Sequence, residues 1–80
     1  MYYVYLLISQ VDSNQTYIGC TNHLSARLAQ HNEGKSNHTS KFKPWKIKMY
    51  LAFDTEAKAV EFEQYLKTGS GNTFVKRRLL

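Results

Sequence analysis

The segment TYIGCT, residues 16–21, places a tyrosine and a glycine two positions apart in what reads as a β-strand, directly ahead of a helix. Before it, YYVYLLI at residues 2–8 has the composition of a strand that is packed on both faces. The stretch VDSNQ at 11–15 is typical of a turn, because Asp, Ser and Asn side chains hydrogen-bond their own backbone. Together these segments predict a β-hairpin, with a second strand over residues 15–20.

A short helix is predicted after the hairpin, from about His23 to Asn32. Thr21 or Asn22 is a suitable N-cap, because either side chain can accept a hydrogen bond from the first helical turn. Gly34 is placed to end the helix in a left-handed C-cap.

A third strand is predicted over WKIKMYLAF, residues 45–53, after a polar and basic loop at 34–44. Its apolar residues alternate with period two, which is typical of a strand with one buried face. We expect the buried face to carry Ile47, Met49, Leu51 and Phe53, and the wetter face Lys46, Lys48 and Tyr50.

Two helices are predicted in the remainder of the chain. Asp54 or Thr55 can cap the first, which runs to about Lys67 and stops at Gly69. The second covers residues 72–80, with Asn72 as its cap. The order β-β-α-β-α-α predicts an α/β fold in which a small three-stranded sheet is flanked by helices.

Composition restricts the possible partners. Eighty residues lead us to expect one domain over 1–80, and a formal charge of +5 favours polyanions, nucleic acid first and an anionic membrane surface second. The alternative is a basic surface that serves solubility alone. The longest apolar run is too short to span a bilayer, and of the two polyanions we expect nucleic acid, and no membrane, as the partner. With one cysteine, Cys20, and no recognisable secretory signal, we expect an intracellular protein, cytoplasmic or nucleoid-associated.

Three ionisable residues fall on the apolar sides of the predicted helices. On a helical wheel Arg27 and His31 share the side of Leu24, and Glu63 lies beside Ala59, whereas Glu61 points to solvent. A charged group on such a side needs a partner or a ligand. The wheel leaves two alternatives open, a structural Arg27–Glu63 ion pair and a functional site.

The two strands add phenols to this side of the fold. Tyr5 lies on one face of the first strand, and Tyr17 shares a face of the second strand with Gly19. Packing alone could explain each tyrosine. A zinc site is a less favoured alternative, because its spacing matches no familiar finger; its ligands would be Cys20, His23, His31 and His38.

The ordered set of motifs resembles the GIY-YIG nuclease family, in particular its small single-domain endonucleases. YVY at residues 3–5 stands where that family has its first triad, and YIG at 17–19 matches the second. Arg27 and His31 follow on the next helix, and Glu63 on the second long helix. The resemblance covers essentially the whole chain. The first triad has Tyr3 where the family has Gly.

The resemblance implies an endonuclease that hydrolyses phosphodiester bonds of DNA, in DNA repair or recombination, with one divalent cation, Mg²⁺ or Mn²⁺, held by Glu63. It implies that Tyr17 or Tyr5 acts as general base or water-positioner, that Arg27 binds the scissile phosphate, and that His31 assists proton transfer. A free phenol titrates near pH 10, so we expect Arg27 to lower the pKa of the tyrosine that acts as base.

Further residues are expected to contact the substrate. Gly19 would leave room for the phosphate backbone, and Asn72 matches an Asn that many relatives keep near their C-terminal end. Basic side chains expected on the nucleic acid are Lys41, Lys43 and Lys76. With no extra recognition domain in these residues, cutting should be structure- or strand-selective. The alternative function is a catalytically inactive nucleic-acid-binding module on the same fold.

Overall fold

A computed structural model describes all 80 residues and contains one antiparallel sheet of three strands. The strands are β1 (Tyr2–Ser9), β2 (Thr16–Thr21) and β3 (Trp45–Phe53), in the spatial order β2-β1-β3. The helices are α1 (Leu24–Asn32), α2 (Glu56–Leu66) and α3 (Gly69–Phe74), and a π-helical turn, Val75–Leu79, continues α3. The predicted order β-β-α-β-α-α is confirmed. None of the helices has the length and apolarity that crossing a bilayer requires.

The central strand β1 is buried on both faces, as its composition predicts. On one face Tyr5 and Leu7 form a core cluster with Trp45, against which Leu24 and Leu28 of α1 pack. On the other face the core is formed with α2 and the C-terminal helix; its buried members are Val4, Leu6, Ala59, Leu66 and Val75. The sheet therefore separates α1 from α2 and α3.

The alternation predicted for β3 is interrupted by a bulge. Leu6 pairs with Met49 but Leu7 pairs with Ile47, so the register shifts between these pairs. Ile47 consequently packs against the α1-side cluster, whereas Met49 packs against the α2-side cluster. The prediction that Ile47 shares a buried face with Met49, Leu51 and Phe53 is wrong, and Leu51 is 37% exposed.

The helix caps differ in part from those predicted. The N-cap of α1 is His23, which makes no side-chain cap, while the Thr21 hydroxyl accepts from the His23 backbone N–H at 3.1 Å. Gly34 has φ +77°, as a left-handed C-cap requires. Thr55 caps α2 by accepting from the backbone N–H of Lys58, which confirms one of the two predicted caps.

The C-terminal helix begins earlier than predicted. Thr68 is its N-cap and accepts from the backbone N–H of Gly71, so Gly69 opens α3 instead of stopping α2. Asn72 therefore lies inside α3 and is not its cap. The close approach of Gly71 to the Tyr65 carbonyl explains why this junction is glycine-rich, because a Cβ at Gly71 would overlap that backbone.

Candidate active site

Three of the predicted site residues meet on the α1 face of the sheet. The Tyr5 hydroxyl lies 3.0 Å from His31 Nε2, and Arg27 Nε donates to the same hydroxyl at 3.3 Å. Tyr5 is 2% exposed and His31 is fully buried. The i, i+4 spacing of Arg27 and His31 on α1 places both side chains above β1. The sequence therefore correctly predicts that these three residues converge, but the expectation that Glu63 joins them on one side of the sheet is wrong, because α2 packs on the opposite face.

One assignment of the protons gives every group in this cluster a consistent role. Arg27 Nε donates to the Tyr5 oxygen, and we assign the Tyr5 hydroxyl proton to His31 Nε2, 3.0 Å away. In this tautomer His31 Nδ1 carries the ring proton and donates to the Thr39 hydroxyl oxygen at 2.7 Å. The Trp45 indole holds Thr39 in place, because its Nε1–H donates to the Thr39 carbonyl at 2.8 Å. A continuous hydrogen-bonded chain thus runs from Arg27 through Tyr5 and His31 to Thr39.

Burial sets the charge states in the cluster. It lowers the pKa of His31 below its usual value, with a further contribution from the Arg27 charge, so the imidazole is neutral at pH 7. Burial also raises the pKa of Tyr5 and outweighs the opposing effect of the Arg27 hydrogen bond and charge. Arg27 therefore acts on the pKa of Tyr5 in the expected direction, but burial raises that pKa by more than Arg27 lowers it.

Gly19 explains how the Tyr5 ring fits beside β2. The two residues are directly paired across β1 and β2, and a Cβ on Gly19 would overlap the Tyr5 phenol oxygen. The space that we expected for a phosphate backbone is thus filled by Tyr5. The glycine of the TYIGCT segment is required by its neighbour on β1. Contact between Gly19 and a substrate stays a prediction.

Tyr17 lies at the outer edge of the same cluster. Its ring centroid is 4.9 Å from that of His31 and 6.3 Å from that of Tyr5. The Tyr17 phenol also lies near the Arg27 guanidinium, where it contributes to the raised pKa of Arg27, although the hydrogen bond to Tyr5 contributes most. Tyr17 is half-buried on edge strand β2, so it is the phenol through which the cluster meets solvent.

Glu63 lies on the other side of β2. It is on α2, and its charge contributes to the raised pKa of the Cys20 thiol, although burial contributes most. Its carboxylate oxygen Oε2 is 2.8 Å from Lys67 Nζ, and the Glu63 side chain is 17% exposed. A groove of about 270 Å³ along β2 is lined by Tyr17 together with Lys67 and Asn72. The edge of β2 thus joins the Tyr5 cluster to the Glu63–Lys67 pair.

The structural alternatives are not formed. Arg27 Nη1 donates to the Gln30 side chain at 2.8 Å and has no carboxylate partner, while Glu63 pairs with Lys67. The Arg27–Glu63 ion pair is therefore wrong, because the sheet separates α1 from α2. The four zinc ligands do not assemble, since no group of three or more His, Cys, Asp or Glu side chains is suited to hold a metal. Both His31 nitrogens are already hydrogen-bonded.

The predicted substrate-binding lysines are exposed but are not gathered in one place. Lys41 and Lys43 lie between α1 and β3, on the α1 side, where Phe42 packs against the Tyr5 cluster. Lys76 follows Val75 in the C-terminal turn, beneath the opposite face. Asn72 is exposed on α3 and lines the groove beside Tyr17.

Sequence reasoning missed Thr39 and Lys67. Thr39 is completely buried although it lies in a stretch that reads as a polar loop, and no local pattern indicates its contact with His31. Lys67 could have been found, because Glu63 and Lys67 have the i, i+4 spacing of a helical ion pair.

Comparison with known proteins identifies the family of the chain. A family model described as the GIY-YIG catalytic domain matches residues 1–77. The chain is also 37% identical over 67 residues to the "Structure-specific endonuclease subunit slx1" of Schizosaccharomyces japonicus. That alignment covers 78% of this chain but 24% of the relative, so the chain spans about a quarter of the relative's length.

Proposed function

Because the chain belongs to the GIY-YIG catalytic domain family, a family of nuclease domains, we propose that it is a divalent-metal-dependent endonuclease that hydrolyses phosphodiester bonds of DNA. One observation carries the proposal: the buried hydrogen-bonded chain Arg27–Tyr5–His31, which reaches solvent beside Tyr17. The Tyr–His pair is fully hydrogen-bonded within the protein, whereas the Arg27 charge has no carboxylate partner and remains available to a ligand. That charge suits an anionic substrate.

Arg27 is the group that would bind the scissile phosphate. Its Nε is used by Tyr5 and one terminal nitrogen by the exposed Gln30, and no acidic side chain neutralises it. A guanidinium presents several donors in a fixed plane that matches phosphate oxygens. Negative charge that accumulates on the phosphate during attack by water would be stabilised by this preorganised cation.

The two tyrosines have different roles in the proposal. Tyr17 is half-buried and faces the groove, so we assign to it the contact with the attacking water. Tyr5 is buried and already hydrogen-bonded to Arg27 and His31, so we assign to it the transfer of a proton. When Tyr5 receives a proton at its oxygen, its own hydroxyl proton moves to His31 Nε2, and the phenol stays neutral throughout.

His31 holds that proton only briefly. Its pKa is lowered by burial and by Arg27, so the protonated imidazole readily returns the proton through Tyr5 to solvent, from which the leaving oxygen takes up a proton. The Nδ1–H to Thr39 hydrogen bond keeps Nε2 facing Tyr5 in both directions of transfer. Thr39 is thus a positioning residue, because it acts through His31.

Glu63 fits the requirement for a divalent cation. A hard ion such as Mg²⁺ or Mn²⁺ is commonly held by one or two carboxylates, with water and substrate phosphate as the other ligands. Glu63 supplies one carboxylate beside the groove, and its present partner Lys67 is 52% exposed and can move away. The ion would supply positive charge to the leaving oxygen.

The substrate class follows from charge and from the relative. A formal charge of +5 favours a nucleic-acid backbone, and the slx1 relative is by its name a structure-specific endonuclease subunit. We propose DNA substrates that are selected by structure or strand, in repair or recombination. We therefore propose that the protein acts inside the cell, in the cytoplasm or on the nucleoid.

The test is a cleavage panel of single-stranded, duplex, flap and branched DNA, with Mg²⁺, Mn²⁺ or chelator. We expect cleavage with either ion, none with chelator, and unequal rates among the structures. Binding without cleavage under every metal condition would support the alternative, an inactive nucleic-acid-binding module. A chain that neither binds nor cleaves any of these DNAs would contradict both functions.

A further inference from the structure

A second hollow lies on the α1 face, next to the Tyr5 cluster. It has a volume of about 430 Å³, within the range of about 300–1,000 Å³ that is usual for small-molecule sites. It forms because α1 begins at Leu24 and leaves the first residues of β1 uncovered on this face. Its lining residues are Tyr3, Asn22, His23, Leu24, Ser25 and Tyr50.

Two tyrosines form the apolar wall of this hollow. The rings of Tyr3 and Tyr50 meet edge to face, with centroids 5.8 Å apart and planes at 72°. Tyr50 is nevertheless 53% exposed, so one large aromatic surface remains open to solvent. Neither tyrosine belongs to the buried clusters of the core. An exposed aromatic pair of this kind is a surface on which a planar ring can stack.

The remainder of the hollow is polar and carries no acidic group. Asn22, His23 and Ser25 are exposed at its rim, and the first turn of α1 has no side-chain cap for its backbone N–H groups. Lys48 is exposed two residues before Tyr50 on the same strand. The third hollow of the molecule, beside Cys20, is instead lined by Glu56, which would repel a phosphate.

The position of the hollow relates it to the proposed reaction. Tyr3 and Tyr5 lie on the same face of β1, roughly 7 Å apart along the strand. Leu24 precedes Arg27 by about 4.5 Å along the axis of α1. A nucleotide held in the hollow would therefore be close to the one whose phosphate meets Arg27.

We propose that this hollow, the Tyr3–Tyr50 hollow, binds an unpaired base of a DNA strand next to the cleavage position. The inference rests on the proposed function and adds the substrate feature that is recognised. Stacking on tyrosine needs an open base face, which single-stranded segments, flaps and unpaired ends offer and a continuous duplex does not. The polar rim can bond to the base edges, and Lys48 attracts the backbone.

The test measures DNA binding by the full chain in the presence of chelator, so that no substrate is cut. A single-stranded oligonucleotide carries 2-aminopurine, whose fluorescence is quenched by stacking, and a continuous duplex serves for comparison. We expect Tyr50→Leu to weaken single-strand binding about tenfold and to abolish the quenching, since tenfold corresponds to about 1.4 kcal/mol, which is within what stacking of one base on an aromatic side chain contributes. Duplex binding should change less than twofold, and Tyr50→Phe should behave as wild type.

The matched control is Tyr65→Leu. Tyr65 is 43% exposed and also contacts aromatic rings, but it lies on α2 beneath the opposite face of the sheet. It should leave single-strand binding unchanged. The inference is overturned if Tyr50→Leu weakens single-strand and duplex binding equally, if it has no effect, or if Tyr65→Leu has the same effect. If the wild-type chain binds no DNA, the proposed function fails as well.

Discussion

Replacing Thr39 by Val would remove one hydroxyl from the buried end of the Arg27–Tyr5–His31 chain and change the shape of the site little. Thr39 is completely buried, and its oxygen is the partner of His31 Nδ1 at 2.7 Å. Without it, a buried imidazole N–H has no acceptor, which costs about 1–3 kcal/mol. For a domain of this size, a loss of about 2 kcal/mol lowers Tm by roughly 8–16 °C.

The same substitution should change which ring nitrogen of His31 carries the proton. With no acceptor at Nδ1, the Nε2–H tautomer is favoured. Nε2–H then donates to the Tyr5 oxygen, which reverses the hydrogen bond between His31 and Tyr5. Thermal unfolding measures the stability, and ¹⁵N NMR of the imidazole measures the tautomer. We expect Nδ1–H in the wild type, a shift towards Nε2–H in Thr39→Val, and cleavage that falls with that shift.

Thr39→Ser is the control, because it keeps the hydroxyl and loses only a methyl group. It should retain the Nδ1–H tautomer and most of the cleavage activity. The reasoning is refuted if Thr39→Val keeps the wild-type tautomer and Tm, or if Thr39→Ser loses the Nδ1–H tautomer to the same degree as Val.

Three other predictions concern the same cluster. Gly19→Ala should lower the free energy of unfolding by about 1–3 kcal/mol and remove most of the cleavage activity, because its methyl group displaces the Tyr5 ring. Gly69→Ala is the control, since its Cβ would meet no atom within 4 Å, and it should leave both unfolding and cleavage unchanged. Because the pKa of His31 is lowered from 6.5, the unfolded chain binds the imidazole proton first, so the free energy of unfolding should fall as the pH drops below 6.5. Urea titrations across that range check this, and a stability that rises on acidification contradicts it. Arg27→Ala should reduce cleavage about a hundredfold or more while the free energy of unfolding changes by about 1 kcal/mol; a large fall in Tm with activity retained would show that Arg27 is structural.

Local patterns predict much of the fold because they report the environment of single elements. The apolar run of β1 indicates burial on both faces, and the helical spacing of Arg27 and His31 indicates a shared side. Glu63 and Glu61 are likewise distinguished correctly, since the Glu61 side chain is 76% exposed and the Glu63 side chain 17%. These features depend on the period of one element and on nothing beyond it.

Several features that depend on two elements were not predicted. The bulge that moves Ile47 to the α1 side is set by the pairing of β3 with β1, and period-two alternation cannot show it. The need for glycine at position 19 comes from the Tyr5 ring on another strand. The contact of Thr39 with His31 joins a loop to a helix. The chemistry of the site is assembled mainly from such contacts.

The most direct test of the account compares Glu63→Gln with Glu61→Gln. Both substitutions remove one carboxylate from α2 and raise the net charge by one, but Glu63 lies beside the groove of Tyr17 and Lys67, whereas Glu61 faces solvent. The variant at Glu63 keeps its volume but loses the charge that a hard divalent cation requires. Its stability should change by about 1 kcal/mol or less, because the partner Lys67 is mostly exposed.

The decisive measurement is the cleavage rate of both variants in Mg²⁺, beside DNA binding and Tm. The account predicts that Glu63→Gln binds DNA and unfolds as the wild type does but does not cut, and that Glu61→Gln cuts at the wild-type rate. Near-normal cleavage by Glu63→Gln, or loss of cleavage by Glu61→Gln alone, would contradict the assignment of Glu63 to the metal.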